Sequence, residues 1–280
     1  MNKRIGFMQG RLSPLVNGRI QAFPTDHWRK EFSLAERQGI CSMEWTLDHD
    51  GLDENPLLTK EGQSEIQRLS DKHQVSIPSL TGDCFMQAPF WKAPKAQRES
   101  LEHDFLKVID ACSIVGIESV VVPLVDNGRL EAAKEGNVLV EFMERHTEVF
   151  RTGKVSILFE SDLVPSELKC FIATLPMGVF GINYDTGNSA SLGYEFQDEI
   201  EAYGGRILNV HLKDRLLGGT TVPLGTGNAK LPETIFALER QGYQGNYILQ
   251  TARAVDGDHV GAICHYRDMA KDWIGQARWN

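Results

Sequence analysis

Four side chains able to bind a cation stand at the ends of four consecutive apolar runs of this 280-residue chain. Glu160 ends Val155–Glu160, Asp185 ends Val179–Asp185, His211 lies near the end of Ile207–Leu212, and Gln250 ends Tyr247–Gln250. Two carboxylates, one imidazole and an amide oxygen make a hard, oxygen-rich set with a single nitrogen. Such a set suits Mn2+ or Mg2+, with Co2+, Fe2+ and Zn2+ less favoured by ligand hardness. Taken singly, each residue has a plainer reading. A carboxylate at a strand end caps a helix or pairs with a base, and a His after Val is commonly a satisfied core residue. Their recurrence on consecutive runs is what points to a metal site.

Those runs must be held side by side. Four more precede them: Arg4–Met8, Cys41–Trp45, Val75–Leu80 and Ser119–Val122. Several are β-branched and apolar on both faces, as in Val120-Val121-Val122, which suits parallel strands covered on both sides. Between them lie segments of helical period. Leu101–Val115 puts Leu101, Phe105, Val108, Ile109 and Cys112 on one stripe, and Val138–Phe150 does so with Val138, Leu139, Phe142, Met143 and Val149. Leu231–Gln241 repeats the pattern. Gly39, Gly116, Gly153, Gly204 and Gly242 follow helix-like stretches, where a left-handed C-cap is expected. Eight strands alternating with helices predict one closed (β/α)8 barrel over residues 1–280, whose chemistry sits at the carboxyl ends of the strands. A doubly wound open sheet is the alternative, but no GxGxxG or Walker-type loop follows the first strand.

With its motifs in view, the sequence resembles the xylose-isomerase-like TIM barrels over nearly its whole length. The resemblance is carried by Ile157-Leu158-Phe159-Glu160, by Asn183-Tyr184-Asp185-Thr186-Gly187-Asn188 and by Asn209-Val210-His211-Leu212-Lys213-Asp214. Leu224-Gly225-Thr226-Gly227 and Gly242-Tyr243-Gln244-Gly245 add to it. The family includes sugar and sugar-phosphate isomerases, ketose 3-epimerases and apurinic-type endonucleases. In its isomerases and epimerases the ligands run Glu, Asp, His, Glu. The resemblance therefore implies Glu160, Asp185 and His211 as ligands, with Gln250 in the fourth place.

That fourth place bears on the reaction. In the epimerases the first and fourth Glu also serve as the two acid/base groups, and an amide can neither take nor deliver the proton. Gln250 can still offer its oxygen to the ion. Aldose–ketose isomerisation needs one carbon base, which Glu160 supplies while the metal polarises the carbonyl. Lys213 or Asp214 would shuttle the second proton. The substitution thus favours isomerisation of a sugar, sugar phosphate or related polyol. Ketose epimerisation, a metal-assisted lyase or hydrolase, and a sugar-binding barrel without catalysis are the alternatives. Asn188 stands where the epimerases often carry His, and Arg215 where they carry an Arg at a different spacing.

Further substrate contacts are expected at the mouth. Glu44 closes the second run, Arg11 follows the first and offers a fork of donors to a phosphate or carboxylate. Asp83 follows the third and Arg253 the eighth. Trp45, Phe85, Phe90 and Trp91 form either an apolar wall or packing for their loops. Gly225-Thr226-Gly227-Asn228 is short enough to be a plain turn, the alternative being a phosphate cradle made by its N–H groups.

The composition narrows the partners. With 29 basic and 38 acidic residues the net charge is −9, and the longest basic clusters are pairs such as Arg29-Lys30. Nucleic-acid binding, which leans on basic patches, is disfavoured, as is an endonuclease site rich in histidines. The five scattered cysteines read as reduced core or near-core thiols, and no run approaches the length of a membrane span. A cytoplasmic enzyme is expected. A homodimer or homotetramer is implied by the resemblance alone.

Overall fold

The two-faced apolar runs pair in parallel and close on themselves. The computed structural model describes residues 4–277. Its barrel strands are β1 (Ile5–Met8), β2 (Met43–Thr46), β3 (Ser79–Thr81), β4 (Ser119–Leu124), β5 (Ser156–Ser161), β6 (Phe180–Asp185) and β7 (Ile207–Leu212). A two-stranded antiparallel hairpin, β8 (Asp214–Arg215) and β9 (Thr221–Val222), follows, and β10 (Asn246–Leu249) completes the ring. The order around the closed barrel is β1-β10-β7-β6-β5-β4-β3-β2, with every neighbour parallel. The expected (β/α)8 architecture is therefore the one observed.

Helices α1 (Trp28–Arg37), α2 (Lys60–His73), α3 (Asp83–Gln87), α4 (Lys95–Val115) and α5 (Ala133–Arg145) surround the first half. The second half carries α6 (Thr147–Gly153), α7 (Pro165–Ala173), α8 (Thr186–Leu192), α9 (Phe196–Tyr203), α10 (Leu231–Arg240) and α11 (His259–Ala277). No helix among the described residues is long and apolar enough to cross a membrane.

The layer between strands and helices is apolar and dense. Phe105, on the buried stripe of α4, is its hub, with ring centroids 4.5 Å from Phe85, 5.3 Å from Phe142, 6.0 Å from Phe90 and 6.1 Å from Phe150. Phe85, Phe90 and Trp91 are buried here, and Trp45 is buried against Phe23 and Trp28. Phe85, Phe90 and Trp91 thus pack their segments on the barrel, while Trp45, expected in a loop, belongs to β2 itself.

Local departures from the expected elements have local causes. The single helix expected over Val138–Phe150 breaks at His146, whose Nδ1 lies 2.9 Å from the Phe142 carbonyl, while the Thr147 hydroxyl donates to Met143. These side-chain bonds compete with the helical ladder. The break leaves Val149 exposed and Phe150 buried. The left-handed residue after α6 is Lys154, not Gly153, and Gly204 is right-handed. Gly39, Gly116 and Gly242 do take positive φ. Pro78 separates the third run, so β3 holds only its last residues and Thr81. Cys170, expected near the core, lies exposed on α7, whereas Cys84 and Cys112 are buried.

Candidate metal centre

Strand ends bring the predicted trio together. Glu160 on β5, Asp185 ending β6 and His211 on β7 are all buried and offer ligand atoms within 4.8 Å of one another. The register places Asp185 opposite His211, so neighbouring strands aim both side chains at one point. His211 Nδ1 lies 3.1 Å from Glu160 Oε2, and the Lys213 ammonium donates to Asp185 Oδ2 at 3.2 Å.

Around them the lumen is polar, and its hydrogen bonds fix each group. Asn183 Nδ2 donates to Glu160 Oε2 at 2.8 Å and lies 3.0 Å from His211 Nδ1. Asn188, in the first turn of α8, donates to Glu160 Oε1 at 2.7 Å, while its backbone N–H caps on Asp185 Oδ1. Its Oδ1 accepts from Lys213 and from Arg215. Gly187 leaves room for the Lys213 stem: a Cβ there would lie 2.6 Å from Lys213 Cγ. Thus Asn188, Lys213 and Arg215 do gather at the trio.

Glu44 lies deeper than expected. It is fully buried in the lumen, where Oε1 meets His211 Nε2 at 2.7 Å and Oε2 accepts from Ser79 and Asn209. It is a partner of His211 instead of a contact at the mouth. With Nε2 paired to Glu44, Nδ1 is the ring nitrogen left beside Glu160. Burial alone would pull the His211 imidazolium down. The charge of Glu44 and the hydrogen bonds of Glu160 and Glu44 outweigh that and carry it up to about 10.

Asp214 turns away from the trio. Its Oδ2 accepts from the N–H of Gly225 and Gly227 at 2.9 Å, and Oδ1 from that of Ala229 at 3.0 Å. A carboxylate so held cannot shuttle a proton at the site. These bonds and the Thr226 N–H bond to the Pro223 carbonyl occupy the N–H groups of the Gly225–Gly227 turn that would have cradled a phosphate.

Arg11 and Arg253 support loops. Buried Arg11 donates to the carbonyls of Thr251 and Ile20 and to Gln21 Oε1, and Arg253 donates to the carbonyls of Gly10 and Ser13. Burial, then the charge of Arg253, brings Arg11 down to about 10. Beneath the same loop, buried Glu31 accepts from the N–H of Gly10 and Leu12, and burial pushes it up to about 7.

Gln250, just beyond β10, donates through Nε2 to Gln21 Oε1 at 2.9 Å. Gln21 Nε2 in turn donates to Asp83 Oδ2 at 2.5 Å. The loop after β1 thus ties the eighth barrel strand to the end of the third. Gln250 Oε1 is buried and has no hydrogen-bond partner among the described residues.

Several of these residues escaped the sequence reading. Asn183 and Asn209 stand two before Asp185 and His211, and the two-residue period of a strand puts each pair on one face. That signal was available. Nothing in the sequence marks Gln21, which acts from an irregular loop.

The family profile described as xylose isomerase-like TIM barrel matches residues 32–270. The chain belongs to this family. It is also similar to L-ribulose-5-phosphate 3-epimerase of Escherichia coli K12, with 23% identity over 262 residues, covering 89% of this chain and 91% of the relative. Among solved structures, the IOLI protein with a bound zinc atom superposes with TM-score 0.76 at 15% identity, covering 98% of this chain and 99% of that one. A xylose isomerase-like TIM barrel protein from Mycobacterium smegmatis in complex with magnesium gives 0.71 at 14%, covering 97% and 96%. At that identity the structural matches speak for the fold of this xylose isomerase-like barrel.

Proposed function

We infer that this chain is a divalent-metal-dependent isomerase of a sugar, sugar phosphate or related polyol, built as one barrel domain over residues 1–280. The convergence of Glu160, Asp185 and His211 carries the reading. The donor set fits a cation. Three carboxylates (Glu44, Glu160, Asp185) surround one imidazole and one ammonium, His211 presents Nδ1, and Gln250 keeps a buried oxygen without a donor. Glu160, Asp185, His211 and Gln250 would hold the ion. When bound, it would polarise a carbonyl and grip a neighbouring hydroxyl oxygen. The oxygen-rich set favours Mn2+ or Mg2+, and similar barrels carry zinc or magnesium.

The side chains divide the remaining work. Glu160 takes a proton from the carbon beside the carbonyl. Asn188 and Asn183 fix its two oxygens by donating one hydrogen bond to each. Lys213 and Arg215 offer positive charge toward substrate hydroxyls or a phosphate. Because Gln250 cannot move a proton, aldose–ketose transfer with a single carbon base fits better than inversion by two Glu residues. The relative named as a 3-epimerase supports ketose epimerisation as the second reading.

The test is calorimetric titration of the metal-free protein with Mn2+, Mg2+, Co2+ and Zn2+, followed by NMR of aldoses, ketoses and their phosphates in D2O. One ion per chain should bind, and Glu160→Gln should abolish deuterium uptake at the carbon beside the carbonyl. Absence of binding by all four ions would remove the proposal.

A further inference from the structure

The isomerisation proposed above moves two protons: one between carbons, one between oxygens. Glu160 serves the carbons. The sequence offered Lys213 or Asp214 for the oxygens, and neither suits the task. Asp214 is bound by three backbone N–H groups away from the site. Lys213 Nζ is already engaged by Asp185 Oδ2 at 3.2 Å and Asn188 Oδ1 at 3.3 Å, so it serves to hold those groups in place.

Another carboxyl is tied to the end of the eighth barrel strand through Gln21 and Gln250. Asp83 opens α3 just after β3 and is buried, and the charges of Asp48, Glu160 and His211 act on it. Its donor, Gln21, is a neutral amide that also accepts from Gln250. The link joins the strand that lacks a carboxylate to the loop that has one. A neutral donor on Oδ2 tolerates both protonation states, because Oδ1 can carry or release the proton while the Gln21 bond persists. We propose that Asp83 is the second acid/base group of this site, moving the hydroxyl proton of the substrate while Glu160 moves the carbon proton.

The cycle closes without an outside reagent. Ionised Glu160 takes the proton from C2 of an aldose. The C–H pair becomes the C1–C2 double bond, and the carbonyl pair moves to O1, which takes the proton of Asp83. Now ionised, Asp83 removes the proton from O2. The C2–O2 carbonyl forms, the double-bond pair takes the Glu160 proton at C1, and both carboxyls are as they began. Asp83 must start protonated. Burial, and then the charges of Asp48 and Glu160, raise it against the Gln21 hydrogen bond to about 7. The charge of His211 opposes this.

The proposal rests on the isomerase reading, and the experiment separates the two. Mn2+-loaded protein is given a panel of aldoses, ketoses and their phosphates in D2O, and NMR follows both net conversion and deuterium uptake at carbon. Asp83→Asn keeps an acceptor for Gln21. It should lower conversion by about 100-fold or more, the usual contribution of a positioned acid or base. Carbon exchange should fall by less than about tenfold, with Mn2+ affinity unchanged, and Asp83→Glu should recover part of the conversion. Conversion within about threefold of wild type in Asp83→Asn, or a loss that tracks lost Mn2+ binding, overturns the assignment alone. Wild-type protein that binds Mn2+ but exchanges no carbon proton removes the isomerase reading and this assignment with it.

Discussion

The lumen of the barrel and the layer outside it are built on opposite terms. Outside, Phe85, Phe90, Phe105, Phe142 and Phe150 interlock, and shape alone decides the fit. Inside, Glu44, Ser79, Asn183, Asn209 and His211 are equally buried but joined by directional bonds. Stability should therefore be concentrated in the first region and ligand geometry in the second. A buried polar network gains specificity only when its members are satisfied, so loss of one partner disturbs the others.

The sharpest way to break this contrast is Phe105→Ala. Removal of the hub ring should cost about 3–5 kcal/mol in denaturant unfolding. Mn2+ affinity of the folded protein should stay within about twofold. A parallel loss of affinity would show that the two regions are not separable. The converse change is Glu44→Gln, which removes the charge behind His211 Nε2. It should weaken metal binding about 10–100-fold by titration, as losses behind a ligating imidazole do. Melting should be altered far less than by Phe105→Ala.

A smaller effect sharpens the comparison at its border, where Glu31 sits buried beneath the β1 loop. Its ordinary value is 4.5, and burial carries it to about 7 in the fold. The folded state thus binds the proton more tightly than the unfolded chain. The stability this contributes is fully present below pH 4.5 and is lost as pH rises through about 7. Glu31→Gln should flatten that slope by on the order of 2 kcal/mol in unfolding measured between these limits. Asp83 has the same sign, so slope remaining in the variant is assigned by adding Asp83→Asn. An unchanged slope in the double variant would refute both assignments.

The outer layer was legible in the sequence because periodicity reports which face of an element is apolar, as the stripe through Phe105, Val108, Ile109 and Cys112 shows. The trio of Glu160, Asp185 and His211 was legible for a related reason: polar residues interrupt apolar runs at the same end. Glu44 has that signature too, yet its depth does not follow from it. β2 continues to Thr46 and pairs Glu44 with Met8, which sets the carboxylate inside the lumen. Asp214 was misplaced because β7 is followed at once by a hairpin. Its reversal carries the side chain onto the next turn. Gln21 acts at the mouth through a loop of irregular backbone, where neither period applies.

The turn that wraps Asp214 brings its own anion with it. A backbone concavity of this kind is ordinarily organised by an incoming negative group, and here the chain supplies that group covalently. The segment from Gly225 to Ala229 is consequently shaped before any substrate arrives. On the proposed reading, a charged substrate tail would then be met by Lys213, just past β7, and Arg215, on β8.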